Sequence, residues 1–126
     1  MFNTKELRTE LRKLIAEAAP EYPVCFWVEK KGESRFTVCS LQDLPSFDER
    51  NQIELEVNVV GPMSDEESTE AATDAIIRAL DHQVVLCEQF GAYLYKNTRN
   101  RVDGSDPHTV RYRATFDLYL YERGNT

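Results

Sequence analysis

Glycine and histidine are scarce in this sequence, with five and two among 126 residues. Phosphate-binding loops of the G-x-x-x-x-G-K-[ST] or G-x-G-x-x-G kind need closely spaced glycines, and neither pattern occurs. His82 and His108 lack the spacing of H-x-x-x-H or H-E-x-x-H metal sites, and no serine lies in a G-x-S-x-G elbow. The sequence therefore predicts no catalytic, cofactor-binding or metal-binding residues and no enzyme activity, and we expect both histidines at the surface.

Long apolar runs are absent, and cysteines are few. No stretch approaches the roughly 18 apolar residues of a membrane helix, and the start MFNTKELRTELRKL lacks the apolar core of a secretory signal. The three cysteines, Cys25, Cys39 and Cys87, form no C-x-x-C pair, so we expect reduced, buried thiols. These features predict a protein that is made and kept in a cytoplasm and has no membrane partner.

Positive charge is also in short supply. Fifteen Lys and Arg residues against 22 Asp and Glu residues leave a formal net charge of −7. The excess lies before Asp81, where 9 basic residues face 16 acidic ones, whereas the rest of the chain has six of each. The overall charge of such a protein does not attract it to a phosphate backbone.

One acidic segment has the outline of a nuclease motif. DERNQIELE resembles the D…ExE pattern of metal-dependent nucleases, whose carboxylates hold a divalent ion against a phosphodiester. That chemistry also needs a lysine on the same strand face as the acids, as in ExK. Here Val57 and Asn58 follow Glu56 instead. The sequence therefore disfavours a nuclease.

Two amphipathic helices are predicted. The first can be capped by Asn3 or Thr4 and ends at APEYP, because a proline cannot continue a helix. The second follows GPMSDEES, in which Ser64 and Glu67 have the S-x-x-E spacing of a capping box. The apolar stripes consist of Leu7, Leu11, Leu14, Ile15 and Ala18 in the first helix and of Ala71, Ala72, Ala75, Ile76, Ala79 and Leu80 in the second.

Several extended segments complete the pattern. VCFWVEKKGESRFTVCSL predicts a hairpin of two strands around Lys31, Gly32 and Glu33, and QIELEVNVVG alternates as a half-buried strand does. VVLCEQFGAYLY predicts one further strand with a bulge at Gly91, and KNTRNRVDGSDPH predicts an exposed loop. The fold class is therefore α+β, one domain over residues 1–126, with a mostly antiparallel mixed sheet of about five strands and two helices packed on one face.

The last strand is unusually long. No Gly, Pro or Asn occurs from Thr109 to Arg123, although strands usually run about five or six residues. Its apolar face comprises Val110, Tyr112, Ala114, Phe116, Leu118 and Leu120. Its other face is polar and rich in arginine and tyrosine, which are enriched at protein interfaces, although a solvated outer face would carry similar residues. The candidate subunit-interface residues on the strands are Glu54, Glu56, Arg111, Arg113, Tyr119 and Tyr121.

This order of segments resembles a known family of virion proteins. YPVCFWVEKK, FTVCSL, QIELEVNVVG, STEAATDAIIRALDH and RYRATFDLYLYER follow one another as in the tail terminator and minor capsid (tail completion, head–tail joining) proteins of long-tailed bacteriophages. The resemblance extends from about Thr4 to Arg123 and depends on element order rather than on a signature residue. KNTRNRVDGSDPH is similar to the exposed hairpin that such proteins direct toward the tail tube, which adds Lys96, Arg99 and Arg101 as candidate tube contacts.

The resemblance implies a structural virion protein without an active site. Such proteins form a ring of six copies that caps the tail tube and joins it to the head connector, with DNA passing through without specific binding. The implied partners are other copies of the chain, the tail tube protein and the head–tail connector protein, and the free protein can still be a monomer. The implied location is the virion tail or neck, after assembly in the bacterial host cytoplasm.

A second interpretation comes from a different class. Sheets with two helices on one face also serve small ferredoxin-like domains that bind ligands or regulate other proteins. A concave apolar pocket would favour that interpretation, whereas charge-complementary edges and flexible loops would favour the ring.

Overall fold

A computed structural model describes residues 4–29, 33–43, 52–103 and 106–123. Two helices cover one face of a mixed sheet of six described strands, which confirms the predicted α+β class with one strand more than expected. In chain order the elements are α1 (Thr4–Ala18), β1 (Val24–Phe26), β2 (Phe36–Asp43), β3 (Gln52–Pro62), α2 (Glu66–Leu80), β4 (Val84–Leu86), β5 (Phe90–Val102) and β6 (Thr109–Glu122). This order differs from the β-α-β-β-α-β order of a ferredoxin-like domain.

The sheet has the order β1-β2-β3-β6-β5-β4, with the two longest strands side by side. β1 runs parallel to β2, and every other neighbouring pair is antiparallel. Because side chains alternate between faces, the apolar residues of β3 and β6 meet in register on the helix side, as Leu55 opposite Phe116 illustrates. The predicted apolar face of β6 is buried throughout, from Val110 to Leu120.

The core lies between this face and the two helices. Leu7, Leu11 and Ile15 of α1 are fully buried, while Ile76 and Leu80 of α2 are equally enclosed. The predicted helix stripes are thus confirmed at their centres, although Ala71 is exposed and two threonines of α2, Thr69 and Thr73, take buried positions instead. Thr69 is accommodated because its hydroxyl pairs with the hydroxyl of Tyr22 at 2.9 Å.

The sheet curls around α1, which contacts both edge strands, β1 and β4. At the β4 end, the backbone N–H of Glu88 donates to Oε1 of Glu6 at 2.6 Å. At the β1 end, the guanidinium of Arg12 lies 5.5 Å from the centroid of the Phe26 ring. α1 therefore spans the width of the concave side, and its remaining face points away from the sheet.

The predicted hairpin between the first two strands is wrong, because β1 and β2 are parallel. Trp27 has a φ of 74°, in the left-handed region that bulky residues rarely adopt, and it turns the chain at the end of β1. The backbone N–H of Trp27 then donates to the carbonyl of Cys39 at 2.8 Å, which continues the parallel ladder. Of the predicted turn, Lys31 and Gly32 lie outside the described residues, as does the predicted cap Asn3.

The predicted strand over VVLCEQFGAYLY is two strands. Cys87 donates its N–H to the carbonyl of Phe90 at 2.8 Å, which closes a tight turn between β4 and β5. The turn sequence Cys-Glu-Gln contains none of the usual turn residues, so the sequence carries no signal for it. The register irregularity of β5 falls between Lys96 and Thr98, not at Gly91.

The predicted exposed loop is also wrong over most of its length. Residues 96–102 continue β5 and pair with β6 as far as Val102 opposite Arg111. We call residues 96–102 together with residues 109–115 the hairpin arm. Its β5 strand is largely exposed, and a hydroxyl–hydroxyl bond of 2.6 Å joins Thr98 to Thr115 beside the irregularity.

The predicted capping box does not form. Ser64 lies in a short 3-10 turn, Met63–Asp65, and the residue before α2 is Asp65, whose side chain makes no capping bond. Its carboxylate instead accepts a hydrogen bond from Arg35 at 2.6 Å. The ion pair with Arg35, which directly precedes β2, thus takes the side chain that would otherwise cap the helix.

Candidate assembly surface

The sheet face opposite the helices, here the outer face, carries six of the nine candidate residues. Register places Glu54 opposite Asp117, Glu56 opposite Thr115, and Arg113 opposite Asn58. Arg111, Tyr119 and Tyr121 project from the same side of β6 by the two-residue period. All six are half-buried, so each retains surface for a contact. Whether they contact a partner stays a prediction.

Both arginines of the outer face form ion pairs within the chain. Arg111 pairs with Glu29, and the guanidinium of Arg113 lies 3.3 Å from Oε1 of Glu56. Among the described residues, none accepts a hydrogen bond from the buried Nε of Arg113. These pairs neutralise charge locally on this part of the sheet.

The other three candidates, Lys96, Arg99 and Arg101, lie on the hairpin arm. Arg99 donates to Asp74 at 2.8 Å and lies 3.4 Å from Glu70, both of which belong to α2. Arg101 donates to Glu66 at 3.0 Å. The two arginines thus hold the arm against the acidic side of α2, a structural role that sequence reasoning did not assign to them.

Lys96 differs from its two neighbours on the arm. Its side chain is exposed, and its backbone N–H donates to Oδ1 of Asp81 at 2.8 Å, beside the end of α2. That bond fixes the backbone where the register of β5 shifts. The ammonium group of Lys96 therefore projects from a backbone position that this hydrogen bond fixes.

Glu66 is the centre of the contacts between arm and helix. Hydrogen bonds from Arg101 and from the hydroxyl of Tyr112, the latter at 2.6 Å, lower the pKa of the Glu66 carboxyl. The same hydrogen bond, together with burial, raises the pKa of the Tyr112 phenol. The ring of Tyr112 also lies 5.4 Å from the guanidinium of Arg99. These contacts give the arm a defined position over α2.

The lowered pKa of Glu66 predicts an acid-sensitive contact. Its contribution to stability is complete above the pKa of an ordinary glutamate and is lost as the pH falls through the lowered pKa of the folded protein. Glu66→Gln should therefore flatten the acid limb of the curve of unfolding free energy against pH, measured by urea denaturation. Glu67→Gln, at an exposed position of the same turn, is the matched control. Equal flattening in both variants would contradict this role of Glu66.

Four tyrosines cluster on the outer face beside the β4 edge. Tyr93 stacks on Tyr121 with ring centroids 5.0 Å apart, and Tyr95 meets Tyr119 edge to face at 5.9 Å. Val84 and Leu86 of β4 extend this cluster, and Leu86 is 56% exposed while Tyr93 and Tyr95 are 43% and 41% exposed. We call these residues the tyrosine patch: Val84, Leu86, Tyr93, Tyr95, Tyr119 and Tyr121.

Sequence reasoning found only half of the tyrosines in this patch. Tyr119 and Tyr121 were candidates, whereas Tyr93 and Tyr95 were not, because the turn before β5 was missed. The alternation of FGAYLY places Ala92 and Leu94 in the core and the two tyrosines outside, so the signal was present. Gly91 lies directly against Tyr121 of the patch, since a Cβ there would lie 2.3 Å from the Tyr121 hydroxyl oxygen.

A second exposed apolar pair lies at the other edge of the sheet. Trp27 is 55% exposed in its left-handed conformation, and Val28 beside it is 69% exposed. Tryptophan is enriched among the residues that contribute most to binding between proteins. Apolar surface is therefore present at both edges of the sheet.

The cysteines and histidines take ordinary positions. Cys39 and Cys87 are buried and Cys25 is partly buried, and all three are free thiols. Burial raises the pKa of Cys39 to about 12 and that of Cys87 to about 11, which makes both thiols poor nucleophiles. His82 and His108 are exposed, as expected. Within the described ranges, no three His, Cys, Asp or Glu side chains are arranged to hold a metal ion.

Two further features bear on possible partners. An open groove of about 310 Å³ lies between the end of α1 and α2, lined mainly by alanines with Tyr22 and Ser68. That volume is at the low end for ligand pockets, and few polar groups converge on it. No helix in the described part of the chain is both long enough and apolar enough to cross a membrane.

Comparison with known proteins identifies the fold. One chain of a solved structure described as the virion of a native gene transfer agent particle superposes with a TM-score of 0.72. It is 11% identical, and the match covers 95% of this chain and 97% of that one. A second solved structure, which carries no functional name, has a TM-score of 0.69 and 12% identity over 99% of this chain and 100% of its own. No family model and no curated protein match the sequence.

Proposed function

We propose that this protein is a structural component of a phage-like virion, which forms a ring that caps the tail tube and joins it to the head connector. The ring contains six copies, as the resemblance to tail terminator proteins implies. The other partners are the tail tube protein and the head–tail connector protein. The protein acts without a cofactor and catalyses no reaction.

The observation that carries this proposal is the shared fold. A chain of a gene transfer agent virion matches this one along nearly the whole length of both chains, so the likeness concerns the entire fold. At 11% identity the match concerns the fold, and the function is inferred from its agreement with the independent resemblance of element order to tail terminators. Two routes thus lead to the same kind of particle.

The surface of the chain supports an assembly role. Exposed apolar side chains are present at both edges of the sheet, at Trp27 and Val28 and at the tyrosine patch. A ring needs two different surfaces on each copy, because each subunit meets its neighbours head to tail. The net charge of −7 suits a channel that DNA passes through without adhering.

Deletion of the gene tests the proposal. In the phage or transfer-agent genome that encodes the chain, we expect the deletion to leave filled heads and tails that are unjoined or overlong by negative-stain electron microscopy. Supply of the intact chain from a plasmid should restore joined particles. Supply of the Phe116→Ala chain, which has a weakened core, shows the result expected when the chain is present but misfolded. Normal particles from the deletion would overturn the proposal.

A further inference from the structure

The structure assigns a contact between copies: we propose that the exposed face of α1 in one copy packs on the acidic outer face beside the tyrosine patch of the next copy. This inference depends on the proposed ring and adds which two surfaces meet.

The exposed face of α1 is basic in an acidic protein. Successive turns of the helix place four cations along this face, against three acids, of which Glu6 accepts a hydrogen bond from the backbone N–H of Glu88. We call the four residues the cationic stripe: Lys5, Arg8, Arg12 and Lys13. Arg12 and Lys13 are exposed, and Lys13 reaches Glu10 at 3.2 Å, a surface pair that contributes little to stability. The opposite side of α1 is buried in the core, and the stripe follows the exposed side as far as the β1 flank, where Arg12 lies 5.5 Å from the centroid of the Phe26 ring.

The receiving surface is acidic beside the tyrosines. Glu54 and Asp117 lie directly opposite each other on β3 and β6, and Tyr95 is the cross-strand neighbour of Asp117 on the other side. Like charges opposite each other on a sheet are unfavourable, so a cation from outside would stabilise this pair. Within the described residues, the two arginines of the outer face already pair with Glu29 and Glu56 and are not next to Asp117.

The chemistry of the two surfaces is complementary. Arginine stacks on tyrosine rings and pairs with carboxylates, and the stems of Arg and Lys cover apolar surface such as Leu86. The cationic stripe and the outer face lie on opposite sides of the sheet, so a contact between them is heterologous. Such a contact continues from copy to copy and closes into a ring when the rotation per step allows it.

DNA is the other anionic partner that a cationic stripe can bind. The overall charge of −7 opposes such binding, and the stripe is bordered by Glu6, Glu10 and Glu17 on the same helix. The same negative charge also opposes a second copy, so the choice depends on the tyrosines, which offer arginine stacking and apolar contacts beside the carboxylates that a phosphate backbone lacks.

The contact is expected to be weak for a single pair of copies. A helix of 15 residues is roughly 22 Å long and about 10 Å wide, so its footprint is far below the ~800 Å² per partner of a stable complex. Ring closure and the tail tube would therefore add stability to each contact. A covalent trap at high concentration is the appropriate measurement.

The test uses carbodiimide, which joins lysine to carboxylate without a spacer. Equal amounts of ¹⁴N- and ¹⁵N-labelled full-length protein are cross-linked at about 1 mM, where a millimolar contact is substantially occupied. We expect mixed-isotope peptides that join Lys5 or Lys13 to Glu54 or Asp117. Mixed-isotope links at other positions only, or none at all, would overturn the inference.

Charge reversal makes the test specific. One variant carries Arg8→Glu with Arg12→Glu, and the other carries Glu54→Lys with Asp117→Lys. The first variant alone sets like charges against each other and should lose the links at least about tenfold, while the second also lacks the reacting carboxylates. The two mixed together should form new links between the lysines introduced at positions 54 and 117 and the glutamates introduced at positions 8 and 12, which neither variant can form alone. Circular dichroism and thermal melting establish that both variants fold. Absence of these new links from the mixture would overturn the inference.

The outcomes distinguish this inference from the proposed function. A ring on tail tubes with cross-links through a different surface would overturn only the contact proposed here. Normal particles from the gene deletion would overturn the ring itself. DNA binding is measured by fluorescence polarisation with a 30-base-pair duplex. If Arg8→Glu with Arg12→Glu abolishes that binding, and the mixture of the two variants forms no new links between copies, α1 is assigned to DNA instead.

Discussion

Replacement of Phe116 by Ala is expected to lower the free energy of unfolding by about 3–5 kcal/mol, and Leu55→Ala by about 2–5 kcal/mol. Both side chains are fully buried and face each other across β3 and β6 at the centre of the sheet. Each truncation removes apolar contacts and leaves a cavity that the surrounding strands cannot fill by collapse. Urea denaturation monitored by circular dichroism measures the loss.

The adjacent outward residues are the matched controls. Glu54 and Asp117 occupy the next positions along the same two strands but face outward, opposite each other. Glu54→Gln and Asp117→Asn should change the unfolding free energy little, or raise it, because either change removes repulsion between like charges. If these variants were as damaging as Phe116→Ala, the assignment of the two sheet faces would be wrong.

The two long central strands could be predicted from sequence because their period of two is uninterrupted. β6 alternates from Val110 to Leu120 without Gly or Pro, and β3 alternates from Ile53 to Val59. A strand with one apolar face must turn that face to the helices, so pattern alone determines what is buried. The helix stripes follow in the same way from a period of 3.6.

The edges of the sheet could not be predicted because their structure depends on particular tertiary contacts. The turn between β4 and β5 uses Cys87 and Phe90 rather than glycine or asparagine, and β1 runs parallel to β2, with Trp27 in a left-handed conformation at its end. The sequence of residues 96–102 predicts a polar loop. These residues nevertheless form part of β5, because β6 is the pairing strand and carboxylates of α2 bind Arg99 and Arg101. Tertiary pairing thus overrides local preference.

The candidate surface was predicted in part for a similar reason. Tyr119 and Tyr121 belong to a strand whose pattern is clear, and they were identified. Tyr93 and Tyr95 join them only when the register of β5 against β6 is known. The internal partners of Arg111 and Arg113 are equally invisible, since Glu29 and Glu56 are far away in sequence.

Those internal partners determine how the outer face should be tested in assembly. Arg113→Glu would set two carboxylates together at Glu56, so loss of assembly could reflect loss of stability. The exchange of charges, Arg113→Glu with Glu56→Arg, keeps an ion pair at this site while it reverses each charge that a partner meets. The exchange Arg35→Asp with Asp65→Arg, at an ion pair of 2.6 Å outside the outer face, is the matched control.

Arg113→Glu alone is expected to lower the unfolding free energy by about 1 kcal/mol, since the pair is partly exposed, and the exchange should recover most of that loss. If the outer face contacts a neighbouring subunit or the tail tube, the exchange should nevertheless reduce joined particles by about tenfold or more, because interface arginines commonly contribute about 2 kcal/mol to binding. Particle counts by electron microscopy and infectivity or transfer titres measure this effect, and the Arg35 and Asp65 exchange should leave both near the wild-type level. If the exchange variant of Arg113 and Glu56 folds normally and yields as many joined particles as the wild type, neither residue belongs to the assembly surface. Their ion pair then only stabilises the sheet.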